Sequence, residues 1–120
     1  MKQNPFIYHI ASKEAWKNQI QDGCYNPPSL SSEGFIHCSP FDEILETARV
    51  WFSGQDNLIV LGIDPDKIPG KVRYELAPGR SSLMPHIYGP LPVDAVSQIL
   101  SLSQGPDGKF ILHENPANPV

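Results

Sequence analysis

Hydrophobic and polar positions alternate over Phe6–Ile10, with Phe6, Tyr8 and Ile10 on one face and Ile7 and His9 on the other, which predicts a strand. Ser12 then stands as a helix cap. Glu14 suits the first turn, Ala15, Trp16 and Ile20 form an apolar stripe, and Gly23 stops the helix. CYNPPSLSS reads as an irregular loop, because its paired prolines disfavour both helix and sheet. Phe35–Cys38 is the next expected strand. A second helix carries the strongest local signal: Ser39 at the cap, Pro40 at the first helical position and Asp42 as the capping-box acid. Phe41, Ile44, Leu45, Ala48, Trp51 and Phe52 follow at helical spacing, and Gly54 terminates the run. That face is expected to pack on a sheet, with Asp42, Glu43, Glu46 and Arg49 in solvent.

Leu58–Ile63 is continuously apolar, as in a central strand covered on both faces. Val72–Leu76 alternates, setting Val72, Tyr74 and Leu76 against Arg73 and Glu75. Pro85–Gly89 reads as a short extended piece. Val96–Leu102 and Lys109–His113 flank the turn-rich SQGPDG and predict a hairpin. Five or six short strands with two N-terminal helices, in mostly non-alternating order, predict an α+β fold with small, mainly antiparallel sheets. The expected organisation is one domain over residues 1–120, with a core of about 6–113 and a frayed tail at 114–120.

Composition narrows the partners. The net charge of −4 and nine scattered Lys plus Arg lack the clustered cations that a phosphate backbone requires, so no long nucleic acid is expected. No apolar run approaches the length that crosses a bilayer. MKQNPF lacks the apolar core of a signal peptide, and two cysteines in unlike settings make no disulfide framework, so a cytoplasmic location with free thiols is expected. Thirteen prolines with nine glycines point to short elements and irregular connections.

Three histidines lie in short apolar segments: His9 in IYHIAS, His37 in EGFIHCS and His86 in PHIYGPL. A structural histidine donating to a backbone carbonyl explains any one of them, but three in similar half-buried settings suggest a shared site. Arg73 and Glu75 share a strand face. They form either a weak solvated ion pair or an anion-binding arginine beside a working carboxylate. Cys38 follows His37 directly, so its side chain points to the opposite face and packs in the core. Zinc sites are normally betrayed by close ligand pairs such as HxH or HExxH, and the chain has none; no metal site is expected. Phosphate-binding glycine loops and the GxSxG elbow are also absent from the sequence.

The ordered segments IYHIAS, SEGFIHCS, VRYE and PHIYGPL resemble the domain-of-unknown-function family 952 (DUF952) over residues 6 to about 112. A histidine near the end of the first strand, a capped helix with Trp16, a glycine, and then a second histidine strand leading to Ser39 are more distantly similar to the ADP-ribosyltransferase-like fold. RNA 2′-phosphotransferases are the nearest likeness within it. Such proteins hold NAD between two small sheets. That resemblance implies NAD as a substrate, His9 on the nicotinamide ribose, His37 as a second cleft group, and Glu75 or His86 as the late catalytic residue. Ile10 and Ala11 stand where many of these enzymes have Gly and Ser or Thr, and the chain has only Arg49, Arg73 and Arg80 where phosphotransferases use several arginines.

The expected site therefore has His9, His37, Glu75 and His86 as catalytic groups, with Ser32, Glu33, Arg73 and Tyr88 holding a nucleotide-like ligand. The expected activity is ADP-ribosyl or phosphoryl transfer. Its rivals are a non-catalytic module for a small anionic ligand and a histidine-metal hydrolase.

Overall fold

The computed structural model describes residues 6–76 and 81–113; the expected frayed tail and Arg80 lie outside them. Among the described residues there are nine strands and three helices. They run β1 (Ile7–Ser12), α1 (Lys13–Gln19), β2 (Cys24–Tyr25), α2 (Pro28–Glu33), β3 (Ile36–His37), α3 (Ile44–Trp51), β4 (Leu58–Ile63), β5 (Val72–Leu76), β6 (Leu83–Ile87), β7 (Leu91–Pro92), β8 (Val96–Gln104) and β9 (Phe110–His113). One sheet has the order β1-β4-β8-β9, a second has β3-β6-β5, and β2 and β7 form a small ribbon. Every pairing is antiparallel, as an α+β fold requires.

The continuous apolar run becomes β4, buried at every position between β1 and β8. Its two faces serve two cores. Tyr8, Ile10, Leu58, Val60 and Leu100 pack with Ile44 and Ala48 of α3. Ile7, Ala11, Ile59 and Leu61 pack with Trp16, Tyr25, Ile36 and Ile87, toward the second sheet. Gly62 lets β1 and β8 close over β4, since a Cβ there would lie 3.0 Å from the Gln98 side chain and 3.2 Å from the Tyr8 ring. The β8–β9 hairpin forms as expected, its turn closed by Gly105 N–H donating to the Lys109 carbonyl at 2.9 Å.

Four expectations are corrected. CYNPPSLSS is not irregular: Cys24–Tyr25 pairs with β7, and Pro28 opens α2 with Pro27 at its N-cap, so there are three helices rather than two. A proline at the first helical position gives up only an N–H that has no intrahelical partner. Ser39 does not cap α3. Its backbone pairs with Tyr8 and its buried hydroxyl meets Thr47 Oγ1 at 2.7 Å, while Pro40 caps a 3-10 turn leading into the helix. The α3 stripe is only partly buried: Ile44 and Ala48 are inside, whereas Leu45 and Trp51 are 45% and 53% exposed. The strand count of five or six rises to nine; β2 and β7, of two residues each, are too short to show a period, whereas β3 falls within the expected Phe35–Cys38.

Candidate functional site

The site begins where β1 and β3 part. Tyr8 and Ser39 exchange two backbone hydrogen bonds, of 2.8 and 2.7 Å, and join the two sheets at that point. Beyond it β1 is an edge strand. By ladder alternation the N–H and C=O of Ile10 face the same way as those of Tyr8, away from β4. A cavity of about 450 Å3 opens along this edge, within the range of small-molecule sites. Its lining includes His9, Ala15, Tyr25, Pro27, Glu33 and His37, together with Ser39, Thr47, Trp51, Phe52, Gln55 and Leu58.

His9 is held from β3. Its Nδ1 lies 2.6 Å from the backbone carbonyl of His37, and a carbonyl only accepts, so Nδ1 carries the proton. Burial pushes the His9 pKa down to about 4, so the ring is neutral at pH 7. Nε2 is then a bare acceptor, buried and without a partner among the described residues. Such an atom is costly to leave unpaired, by about 1–3 kcal/mol. Tyr25 stands beside the ring with centroids 5.7 Å apart, and burial pushes its phenol up to about 12.

Glu33 and His37 are joined by a local turn. Gly34 ends α2 at φ 90°, a left-handed conformation that suits glycine. The reversal brings His37 Nε2 to 3.0 Å from Glu33 Oε1. Both side chains are partly exposed, 37% and 49%, so the pair adds little stability and is open to solvent and ligand.

His86 sits behind His37 rather than on the cavity wall. Antiparallel pairing sets the two residues opposite one another, with ring centroids 5.1 Å apart and edge-on. Phe35 stacks on His86 at 4.3 Å and meets the His37 ring edge-on at 4.8 Å. The Glu75 Oε1 atom accepts from His86 Nδ1 at 2.8 Å and from the Tyr88 hydroxyl at 2.6 Å. These hydrogen bonds, Tyr88 first and His86 second, hold the Glu75 carboxyl below its ordinary range, and Glu75 raises the Tyr88 phenol in turn. Arg73 lies over the Tyr88 ring, 4.9 Å from its centroid.

The eight residues expected at the site thus divide. His9, Glu33 and His37 line the cavity; His86, Glu75, Tyr88 and Arg73 form an adjoining cluster reached through His37. Ser32 belongs to neither, its hydroxyl bonding back to the Pro28 carbonyl at 3.2 Å within α2. Cys38 is buried, and burial raises its thiol pKa. Among the described residues no group of three His, Cys, Asp or Glu side chains is arranged to hold a metal. Sequence reasoning missed Tyr25, Thr47, Trp51 and Gln55. Trp51 lies on the apolar stripe of α3 and Tyr25 in the presumed loop, so neither carried a signal separating cavity wall from core.

The family model described as a protein of unknown function, DUF952, matches residues 10–99. The chain belongs to the DUF952 family. It is similar to the crystal structure of protein CC0527 from Caulobacter crescentus, with 31% identity, a TM-score of 0.80 and coverage of 88% of this chain and 93% of that one. A crystal structure of a double mutant of CC0527 gives a TM-score of 0.79 at the same identity and coverage. The solution NMR structure of CC0527 gives 0.75 at 31% identity, covering 88% and 90%. No curated protein matches the chain. Among the described residues no helix is long and apolar enough to cross a membrane.

Proposed function

We propose that this DUF952 protein binds the nicotinamide-ribose end of NAD in the β1 cavity and transfers the ADP-ribosyl group. The observation that carries this reading is His9: a neutral, buried imidazole on the cavity wall whose Nε2 has no donor. Nε2 is closed to solvent in this structure, and a ribose hydroxyl that reached it would supply one. His9 and His37 stand on edge strands of two different sheets, joined by one hydrogen bond.

The remaining wall selects the ligand's charge. It is largely apolar and aromatic, it includes the Glu33 carboxylate, and among the described residues no Lys or Arg lines it. Those features suit the positively charged pyridinium of NAD and disfavour a phosphate or other anion inside the cavity. Phosphoryl transfer and an anion-binding module are accordingly the weaker readings, and the pyrophosphate stays outside.

The chemistry follows from that pose. The ribose C1′–N bond breaks, its electron pair leaves with nicotinamide, and positive charge develops on the sugar. Glu33 is the carboxylate at the wall that stabilises this charge in the transition state, in place of Glu75 or His86, which the resemblance implied as the late catalytic residue. An acceptor hydroxyl, or water, bonds C1′ and gives its proton to Glu33, which His37 holds in place. Binding without turnover is the second reading, favoured by the position of Glu75 and His86 off the cavity wall. Thermal shift with NAD, nicotinamide mononucleotide, ADP and inorganic phosphate tests the ligand: the first two raise Tm and the last two do not. Stabilisation by phosphate alone would reverse the assignment.

A further inference from the structure

The second sheet ends on an uncovered strand. β5 pairs with β6, and no strand lies on its other side among the described residues. The Lys71 carbonyl accepts from Tyr88 N–H at 2.8 Å, which fixes the phase of the ladder. The backbone groups of Arg73 and Glu75 therefore face β6, while those of Val72, Tyr74 and Leu76 face outward. The same edge is apolar on one face, with Tyr74, Leu76 and neighbouring Leu83 56%, 64% and 55% exposed. An open edge of this kind is a template for another strand.

The sequence of the edge identifies that strand. VRYEL is complementary to itself when run antiparallel about Tyr74: Val72 meets Leu76, and Arg73 meets Glu75. We propose that two copies of this chain associate through β5, joining their three-stranded sheets into one across a two-fold axis at Tyr74. Isologous contact needs one patch that matches itself, which this strand supplies in backbone, apolar and charged groups alike.

The side chains are already prepared for it. Glu75 spends Oε1 on His86 and Tyr88, while Oε2 has no hydrogen-bond partner among the described residues. Arg73 makes no salt bridge among them, and its guanidinium is steadied over Tyr88. Pairing sets each Arg73 opposite the partner's Glu75, so two symmetry-related ion pairs form on one face while the exposed apolar side chains meet on the other. No residue of β5 lines the β1 cavity.

Sedimentation equilibrium of the full chain tests the proposal. The expected result is a monomer–dimer equilibrium, with amide exchange at Tyr74 and Leu76 slowing as concentration rises. Arg73→Glu places like charges opposite one another at both positions and is expected to raise the dimer Kd about tenfold or more. Tyr74→Pro removes an outward N–H without touching the β6 ladder and is expected to leave a monomer; circular dichroism verifies its fold. A monomer at every concentration would overturn the proposal and leave β5 to a different partner. A dimer unmoved by Arg73→Glu would overturn it too, placing the contact elsewhere.

Discussion

His9 donates from Nδ1 to the backbone carbonyl of His37 at 2.6 Å, linking the edge strand of one sheet to the edge strand of the other. That single bond fixes the tautomer of His9, leaves Nε2 as a buried acceptor, and sets the His37 side chain at the cavity mouth beside Glu33.

The neutrality of His9 makes stability depend on pH. Its pKa falls from 6.5 in the unfolded chain to about 4 in the folded one, so between those values the unfolded state binds more protons. The associated stability is fully present above about pH 6.5 and is lost as pH falls toward 4, by about 3 kcal/mol. Denaturant melts from pH 7 to pH 4 measure it. His9→Gln, which cannot titrate, should flatten the curve in that window; an unchanged slope would assign the acid sensitivity to other groups.

Glu33 is the carboxylate assigned to the reacting sugar. Its side chain is half exposed and ends a short helix, so Glu33→Gln is expected to fold with a wild-type Tm. Turnover of NAD should drop by about 10²-fold or more while NAD affinity changes little. Glu75→Gln is the control, since Glu75 lies off the cavity wall. A larger loss of turnover in Glu75→Gln than in Glu33→Gln would reverse the two assignments.

Trp51 exposes 53% of its surface and also lines the cavity, a combination that packing does not require. Trp51→Ala should weaken binding of nicotinamide mononucleotide about tenfold, consistent with loss of an aromatic partner worth about 1–2 kcal/mol. Its Tm should stay within a few degrees of wild type. Calorimetric titration and a thermal melt read the two effects separately.

Gly62 carries the opposite expectation. A methyl group there meets Gln98 Cβ at 3.0 Å, a short and stiff part of that side chain, as well as the Tyr8 ring. Gly62→Ala should cost about 1–3 kcal/mol by overpacking, with cavity residues other than Tyr8 left in place. Urea denaturation gives the value.

Much of the fold was legible from periodicity. β4 followed from an unbroken apolar run, β5 from clean alternation, the β8–β9 hairpin from its turn residues, and α1 from the Ser12 cap, whose hydroxyl accepts from Ala15 N–H at 3.2 Å. The second helix was hidden because proline was read as a breaker, although Pro28 stands at the position where helices accept it. β3 lay within the expected Phe35–Cys38, but the two-residue strands β2 and β7 were illegible because their pairing is decided by tertiary contact. At the site, three histidines in apolar segments were expected to share one cavity; His9 and His37 line it and His86 does not. Their division into cavity wall and adjoining cluster depends on strand register, which sets His37 opposite His86, and no local pattern encodes that. The assignment of Ser39 as a cap failed for the same reason: the serine pairs with Tyr8, distant in sequence, and its hydroxyl is taken by Thr47.

The central claim is that His9 and Glu33 present the cavity to the ribose of NAD. Quantifying free nicotinamide after incubation of NAD with the wild-type protein, His9→Ala and Glu33→Gln tests it most directly. The account predicts release by the wild type above the buffer rate, with about 10²-fold or greater loss in both variants. Release no faster than buffer, with no binding of NAD or nicotinamide mononucleotide by calorimetry, would contradict it.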